Sequence, residues 1–195
     1  ENAIVPIQQY GYTTGKNATD SAMIIDAMDI LYSDKVDAFC IVSSDSDFTR
    51  LATRLREAGM IVIGIGEKKT LIPFITACDK FIYIEILSTE ESSTEEAAAD
   101  ESQPSRKSKR PPKKKNAPLN NIDKELIKLI SDSISDLEDE NGWAYLGNLG
   151  NLLLKKKPDF DSRNYNYPKL LPLIKNLNKF EFDERVSGKG NIKHV

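Results

Sequence analysis

Residues 36–66 read VDAFCIVSSDSDFTRLATRLREAGMIVIGIG, and this stretch decides the fold class. It opens on a nearly continuous apolar run, 36–43, which predicts a strand buried on both faces. It continues with Phe48, Leu51, Ala52 and Leu55 at i, i+3, i+4 and i+7, the spacing of one helix face. It closes on a second apolar run, 60–66. Strand, helix and strand at this spacing predict a parallel α/β unit.

The pattern extends in both directions. Upstream, AIVPIQQ (3–9) is a short β-rich run. Residues 20–32 are helical, with Asp26, Asp29 and Ser33 on a polar stripe. Downstream, a short helix follows Leu71 and KFIYIEI (80–86) supplies a closing strand. A segment of different composition comes next. Residues 88–104 are acidic and small, 105–118 are basic and proline-containing, and no large aliphatic or aromatic side chain occurs in either part. Such a segment cannot bury enough surface to offset its ordering entropy. It predicts a flexible linker, 88–118, between a first domain at 1–87 and a second at 119–195.

Hydrophobic residues make up 39% of the chain and charged residues 29%, which places it among ordinary soluble proteins. No run of eighteen apolar residues is present, which excludes a membrane-spanning helix. The first ten residues lack the basic flank and apolar core of a secretory signal. The two cysteines, Cys40 and Cys78, have no metal-ligand spacing and read as reduced thiols in a cytoplasmic protein.

Asp45 and Asp47 stand where the first buried strand hands over to its helix. In open α/β sheets ligands bind at this carboxyl end of the strands. Two carboxylates so close repel unless a cation sits between them, and hard divalent ions take oxygen ligands of this kind. The competing reading is a helix cap with a favourable charge on the helix dipole. Asp20 projects with Ile24, Ala27 and Leu31, on the apolar side of its helix, where a carboxylate is costly unless partnered. Lys16 and Asn17, just before it, are suited to phosphate or metal-bound water. Three aspartates at two seams suggest one acidic cluster.

These residues carry a family resemblance. GKNATDSAMIIDAMDIL (15–31), the block around SSDSDF (43–48) and FITACDKFIYIE (74–85) resemble the NYN domain of the LabA-like group, PIN-like proteins with a Rossmann-like sheet. The resemblance covers essentially all of 1–87. It implies metal-dependent ribonuclease activity, with Asp20, Asp45 and Asp47 as the catalytic and metal-binding residues and Mg²⁺ or Mn²⁺ as the cofactor. Ser43 and Ser44 match the polar residues leading into that block. The family's opening strand, with its F-I-D-x-x-N motif, has no counterpart in the chain. The sequence therefore looks N-terminally truncated, with an expectation that this chain is inactive and that the full-length protein is the enzyme.

The second block has its own periodicity. Ile122, Leu126, Leu129, Ile130, Ile134 and Leu137 mark an amphipathic helix. A second helix follows Gly142, with Trp143, Leu146, Leu149 and Leu153 as its core face. A third is expected over 168–178, with Pro168 in its first turn and Pro172 weakening or kinking its interior. KFEFDERVSGKGNIKHV (179–195) reads as strand, turn, strand. Three helices and a terminal hairpin make a small winged helix.

The stretch 142–182 resembles the LOTUS, or OST-HTH, domain. Gly142, Trp143, Leu146, Leu149 and Gly150 fit its first motif; Pro158, Phe160, Arg163, Tyr165, Tyr167, Lys169 and Leu170 fit the next. Asn166 replaces a usual glycine, and asparagine tolerates the left-handed backbone such a turn needs. The resemblance implies RNA binding, or a protein partner. Lys155, Lys156 and Lys157, with Arg163 and Tyr165, are the RNA-binding candidates, since basic groups interleaved with an aromatic suit phosphate neutralisation and base stacking. The alternative is that the tyrosines pack the core and the lysines complement a helix end. The expected fold is an incomplete PIN-like parallel sheet joined by a linker to a winged helix. The expected function is a metal-dependent ribonuclease acting in RNA processing or turnover. The alternative is a non-catalytic RNA-binding adaptor that keeps the NYN fold as a scaffold.

Overall fold

A computed structural model describes residues 4–9, 18–87, 120–187 and 190–195. The charged segment 88–118 and the pair Lys16 and Asn17 lie outside the described residues. The first half runs α1 (Ala18–Tyr32), β1 (Ala38–Val42), a short 3₁₀ turn (Ser46–Phe48), α2 (Thr49–Glu57), β2 (Ile61–Gly66), α3 (Ile72–Ala77) and β3 (Lys80–Tyr83). The three strands form one parallel sheet in the order β1-β2-β3, the arrangement the alternation of strand and helix predicts.

Strand alternation sets which side chains enter the core. Phe39 and Ile41 on β1, Val62 and Gly64 on β2 and Phe81 on β3 come into register on one face. The α2 residues Leu51, Ala52 and Leu55 and the α3 residue Phe74 are buried in the same cluster. Asp79 ties the opposite, amino-terminal end together. Its amide donates to the Val62 carbonyl at 2.8 Å, its carboxylate accepts from the Val62 amide at 2.8 Å, and Arg56 of α2 pairs with it at 3.0 Å.

The structure departs from the sequence pattern at β1 and at residues 4–9. Among the described residues β1 is an edge strand, buried on one face only, and Val42 is 66% exposed. An apolar run shows that a strand is apolar on both sides, not that both sides find a cover. Residues 4–9 form no strand, and Ile4, Val5 and Ile7 are exposed. Helix α1 forms as expected, yet buries no residue fully; Ile24, Ala27 and Leu31 only lean on the core.

The buried thiol of Cys78 donates to the Phe74 carbonyl, and burial raises its pKa to about 11. Cys40 lies on the exposed side of β1. The thiolate is the reactive form. A disulfide reagent at neutral pH is therefore expected to titrate one thiol per chain rapidly and the second only on unfolding. Two equally fast thiols would contradict this packing.

The second half comprises α4 (Lys124–Ser135), α5 (Leu146–Lys156), a 3₁₀ turn (Ser162–Tyr165), α6 (Leu170–Asn176) and the antiparallel hairpin β4 (Asp183–Ser187) and β5 (Gly190–His194). Asp123 caps α4 by accepting from the Leu126 amide at 2.8 Å. Leu126, Ile130, Leu149, Leu153, Leu173 and Ile174 make the core. Ala144 exchanges both backbone hydrogen bonds with Val195, at 2.9 and 3.0 Å, so the segment before α5 lies along the hairpin. Trp143 precedes α5 rather than joining its face, and Ala144 takes the buried place. Pro168 lies ahead of α6, which starts at Leu170. Pro172 is the third residue of that helix, where no amide is needed for an intrahelical bond, so it causes no kink. Asn166 adopts the left-handed conformation, with φ of 64°, as its place in the motif predicts.

Candidate nucleic-acid interface and acidic seam

The carboxyl ends of β1 and β2 are joined by side chains from the serine–aspartate stretch. The Ser43 amide continues the ladder to the Ile65 carbonyl at 2.9 Å. Its hydroxyl accepts from the Asp45 amide at 3.0 Å. Ser44 Oγ accepts from the Glu67 amide at 2.8 Å and so links the loop after β1 to the loop after β2. Asp45 has an extended backbone and caps the 3₁₀ turn, its Oδ1 accepting from the Asp47 amide at 2.9 Å. Phe48, buried in the core, anchors the far end of the turn. Gly66 allows this closeness, because a Cβ there would come within 2.5 Å of the Ser43 carbonyl oxygen.

Asp45 and Asp47 thus sit side by side and exposed at the end of the sheet. The helix-cap reading of Asp45 holds in full, and it leaves Oδ2 of that carboxylate outside the cap bond. Asp20 occupies the first turn of α1, half-buried. The structure does not bring the three aspartates into one cluster. Among the described residues, no group of three or more His, Cys, Asp or Glu side chains could hold a metal ion. The donor chemistry suits a hard divalent cation, but the described residues do not complete a site for one.

Two acidic residues at this end escaped the sequence reading. Glu67 follows β2 directly and pairs with Lys69 at 2.6 Å; Glu85, just past β3, accepts from the Lys68 amide at 2.9 Å. The signal was available, since each follows a strand end as Asp45 follows β1.

In the second half, Lys155 and Lys156 end α5 and Lys157 follows as its C-cap. Lys155 is exposed, while Lys156 reaches Asp136 at 2.6 Å. Arg163 forks onto Asp161, with Nε at 3.0 Å and Nη2 at 2.8 Å, and its amide donates to the same carboxylate. Burial alone would raise the Asp161 pKa, but the hydrogen bonds and charge of Arg163 outweigh it and hold the carboxyl below its usual value. The stability this pairing gives is present above the ordinary carboxylate pKa of about 4 and fades as pH falls through the lowered native value. Tyr165 is only 5% exposed and its ring lies 6.3 Å from that of Phe160. It packs the core, so its ring cannot stack on a base while the domain stays closed.

Residues 1–85 match the family model of the NYN domain, and residues 117–192 match that of the OST-HTH/LOTUS domain. The chain carries an NYN domain followed by a LOTUS domain. A solution NMR structure of an uncharacterized protein from Nitrosomonas europaea is similar to it at 34% identity, over 49% of this chain and 87% of that one, with a TM-score of 0.32. No curated protein matches the chain.

The NYN domain is nuclease-like and the LOTUS domain is of an RNA-binding kind, so the pairing gives the chain a nucleic-acid-related role. In the NYN domain the acidic seam occupies the strand ends where α/β sheets bind ligands. In the LOTUS domain Lys155 and Lys156 are exposed at the end of α5, as are Lys124, Lys128, Lys169, Lys175 and Lys179 elsewhere on the domain, and Lys157 is half-buried. No helix among the described residues is long and apolar enough to cross a membrane.

Proposed function

We propose that this is a ribonuclease-type protein of RNA processing or turnover, in which the LOTUS domain holds RNA and the NYN domain cleaves it. The observation that carries the reading is the union of the two domains on one chain, with Asp45 and Asp47 exposed at the carboxyl end of the NYN sheet. Asp20, Asp45 and Asp47 are the proposed acidic residues. Mg²⁺ or Mn²⁺ is the cation that suits carboxylate oxygens, and such an ion supplies an activated water when bound. Ser43 and Ser44 hold the two loops in place, and Asp45 fixes the turn that presents Asp47.

On the LOTUS side, exposed Lys155 is the leading phosphate contact, with Lys156 shared with Asp136 and Lys157 with Tyr165. Arg163 acts by bracing its loop. The proposed cellular site is the cytoplasm. The test is cleavage of labelled RNA by the full gene product with Mg²⁺ or Mn²⁺, against the same mixture with a chelator. Chelator-sensitive cleavage supports the nuclease reading. RNA binding with no cleavage under either metal favours the adaptor role, in which the NYN fold is a scaffold.

A further inference from the structure

The NYN sheet has a second edge, β3, and this edge is not bare. The Phe81 amide points away from β2 and donates to the Pro158 carbonyl of the LOTUS domain at 2.8 Å. Two residues on, the Tyr83 hydroxyl donates to Asp159 Oδ2 at 2.8 Å. Edge amides and buried tyrosine hydroxyls both need partners, and here the other domain supplies both. Tyr83 is 7% exposed, and its ring packs on Phe81 at 5.4 Å. Burial, with Asp159 beside it, pushes the Tyr83 phenol above its ordinary pKa. Lys80, at the start of β3, adds a positive charge that helps keep Asp161 ionised.

The LOTUS side of this contact is braced from within its own domain. Buried Asn164 donates from Nδ2 to the Asp159 carbonyl at 2.9 Å. The Phe160 amide bonds the Lys157 carbonyl at 2.9 Å, and Asp161 grips Arg163. A loop held this way loses little freedom on docking. Joining the two halves in one chain makes their meeting intramolecular, so a small polar seam can hold them without the affinity that two separate chains would need.

We propose that the LOTUS domain docks in cis on the β3 edge of the NYN sheet through loop 157–161, so that the two domains move as one body. This gives Arg163 a role that base contact does not: it stiffens the docking loop. It also shields an edge strand that would otherwise invite pairing with another chain. The proposal goes beyond the RNA-acting reading and does not depend on it.

The test is amide hydrogen exchange and ¹⁵N relaxation on the intact 195-residue chain. The Phe81 amide is expected to be protected, and both domains to report one common correlation time. Asp159→Ala lies in the LOTUS domain, so any change it causes at Phe81 must cross the seam. It is expected to speed Phe81 exchange about tenfold, the loss of one good hydrogen bond, while the β1–β2 ladder keeps its protection. Tyr83→Phe should do the same from the other side. An unprotected Phe81 amide in the unaltered chain, separate correlation times for the two domains, or a Phe81 rate untouched by Asp159→Ala would each overturn the proposal.

Discussion

RNA cleavage by the full gene product is expected to fall at least ~100-fold when Asp45 and Asp47 are both changed to asparagine, since even outer-shell changes around a metal cost 10–100-fold. The fold should survive. Asp45 acts structurally through Oδ1, which accepts from the Asp47 amide, and asparagine serves as an N-cap about as well as aspartate. Both residues are exposed, so the substitution removes charge and leaves packing intact. The pair therefore separates chemistry from structure. An unchanged melting temperature with lost cleavage is the expected result. Normal cleavage by the double variant would remove the acidic seam from the mechanism.

Phe81→Ala is expected to destabilise the NYN half by about 3–5 kcal/mol, the usual cost of emptying a phenylalanine site in a core. Phe81 is 1% exposed and stands between Phe74, at 6.0 Å, and Tyr83, at 5.4 Å, edge-on to both. Its ring also fills the space above Gly64, where a Cβ would come within 2.6 Å of it. No neighbour can collapse into the vacancy without giving up its own contacts. A domain has only about 5–15 kcal/mol in reserve, so the loss should be visible as a large drop in the urea midpoint. A change below about 1 kcal/mol would mean that this cluster is not the centre of the core.

The elements that read most clearly in the sequence are those with a strong period. Phe48, Leu51, Ala52 and Leu55 are buried as their spacing predicts, and the parallel sheet follows from apolar runs separated by helices. Asn166 was legible because only a few residue types tolerate its backbone. What escaped depends on neighbours distant in sequence. Val42 and Ile4 are as apolar as any core residue, yet both are exposed, and local pattern says nothing about what covers a face. Tyr165 and Arg163 looked like a stacking and charge pair, but Phe160 and Asp161 claim them. Pro172 looked like a helix breaker only because the helix start was read two residues too early. Asp20, Asp45 and Asp47 were legible as individual residues at seams. Their failure to form one cluster depends on how α1 sits, and its half-buried face fixes that weakly.

The most direct test of the central claim, that RNA is the partner of this chain, is the salt dependence of its binding to labelled single-stranded RNA. Three lysines at the end of α5 meeting phosphates, Lys156 and Lys157 exchanging Asp136 and Tyr165 for them, give a slope of about −2 in log affinity against log salt, or roughly twentyfold weaker binding at 200 mM than at 50 mM. The intact chain is predicted to show that slope, and a variant with Lys155, Lys156 and Lys157 changed to alanine is predicted to lose most of both the affinity and the slope. Absence of binding at 50 mM salt, or binding that the triple variant leaves unchanged, would contradict the account.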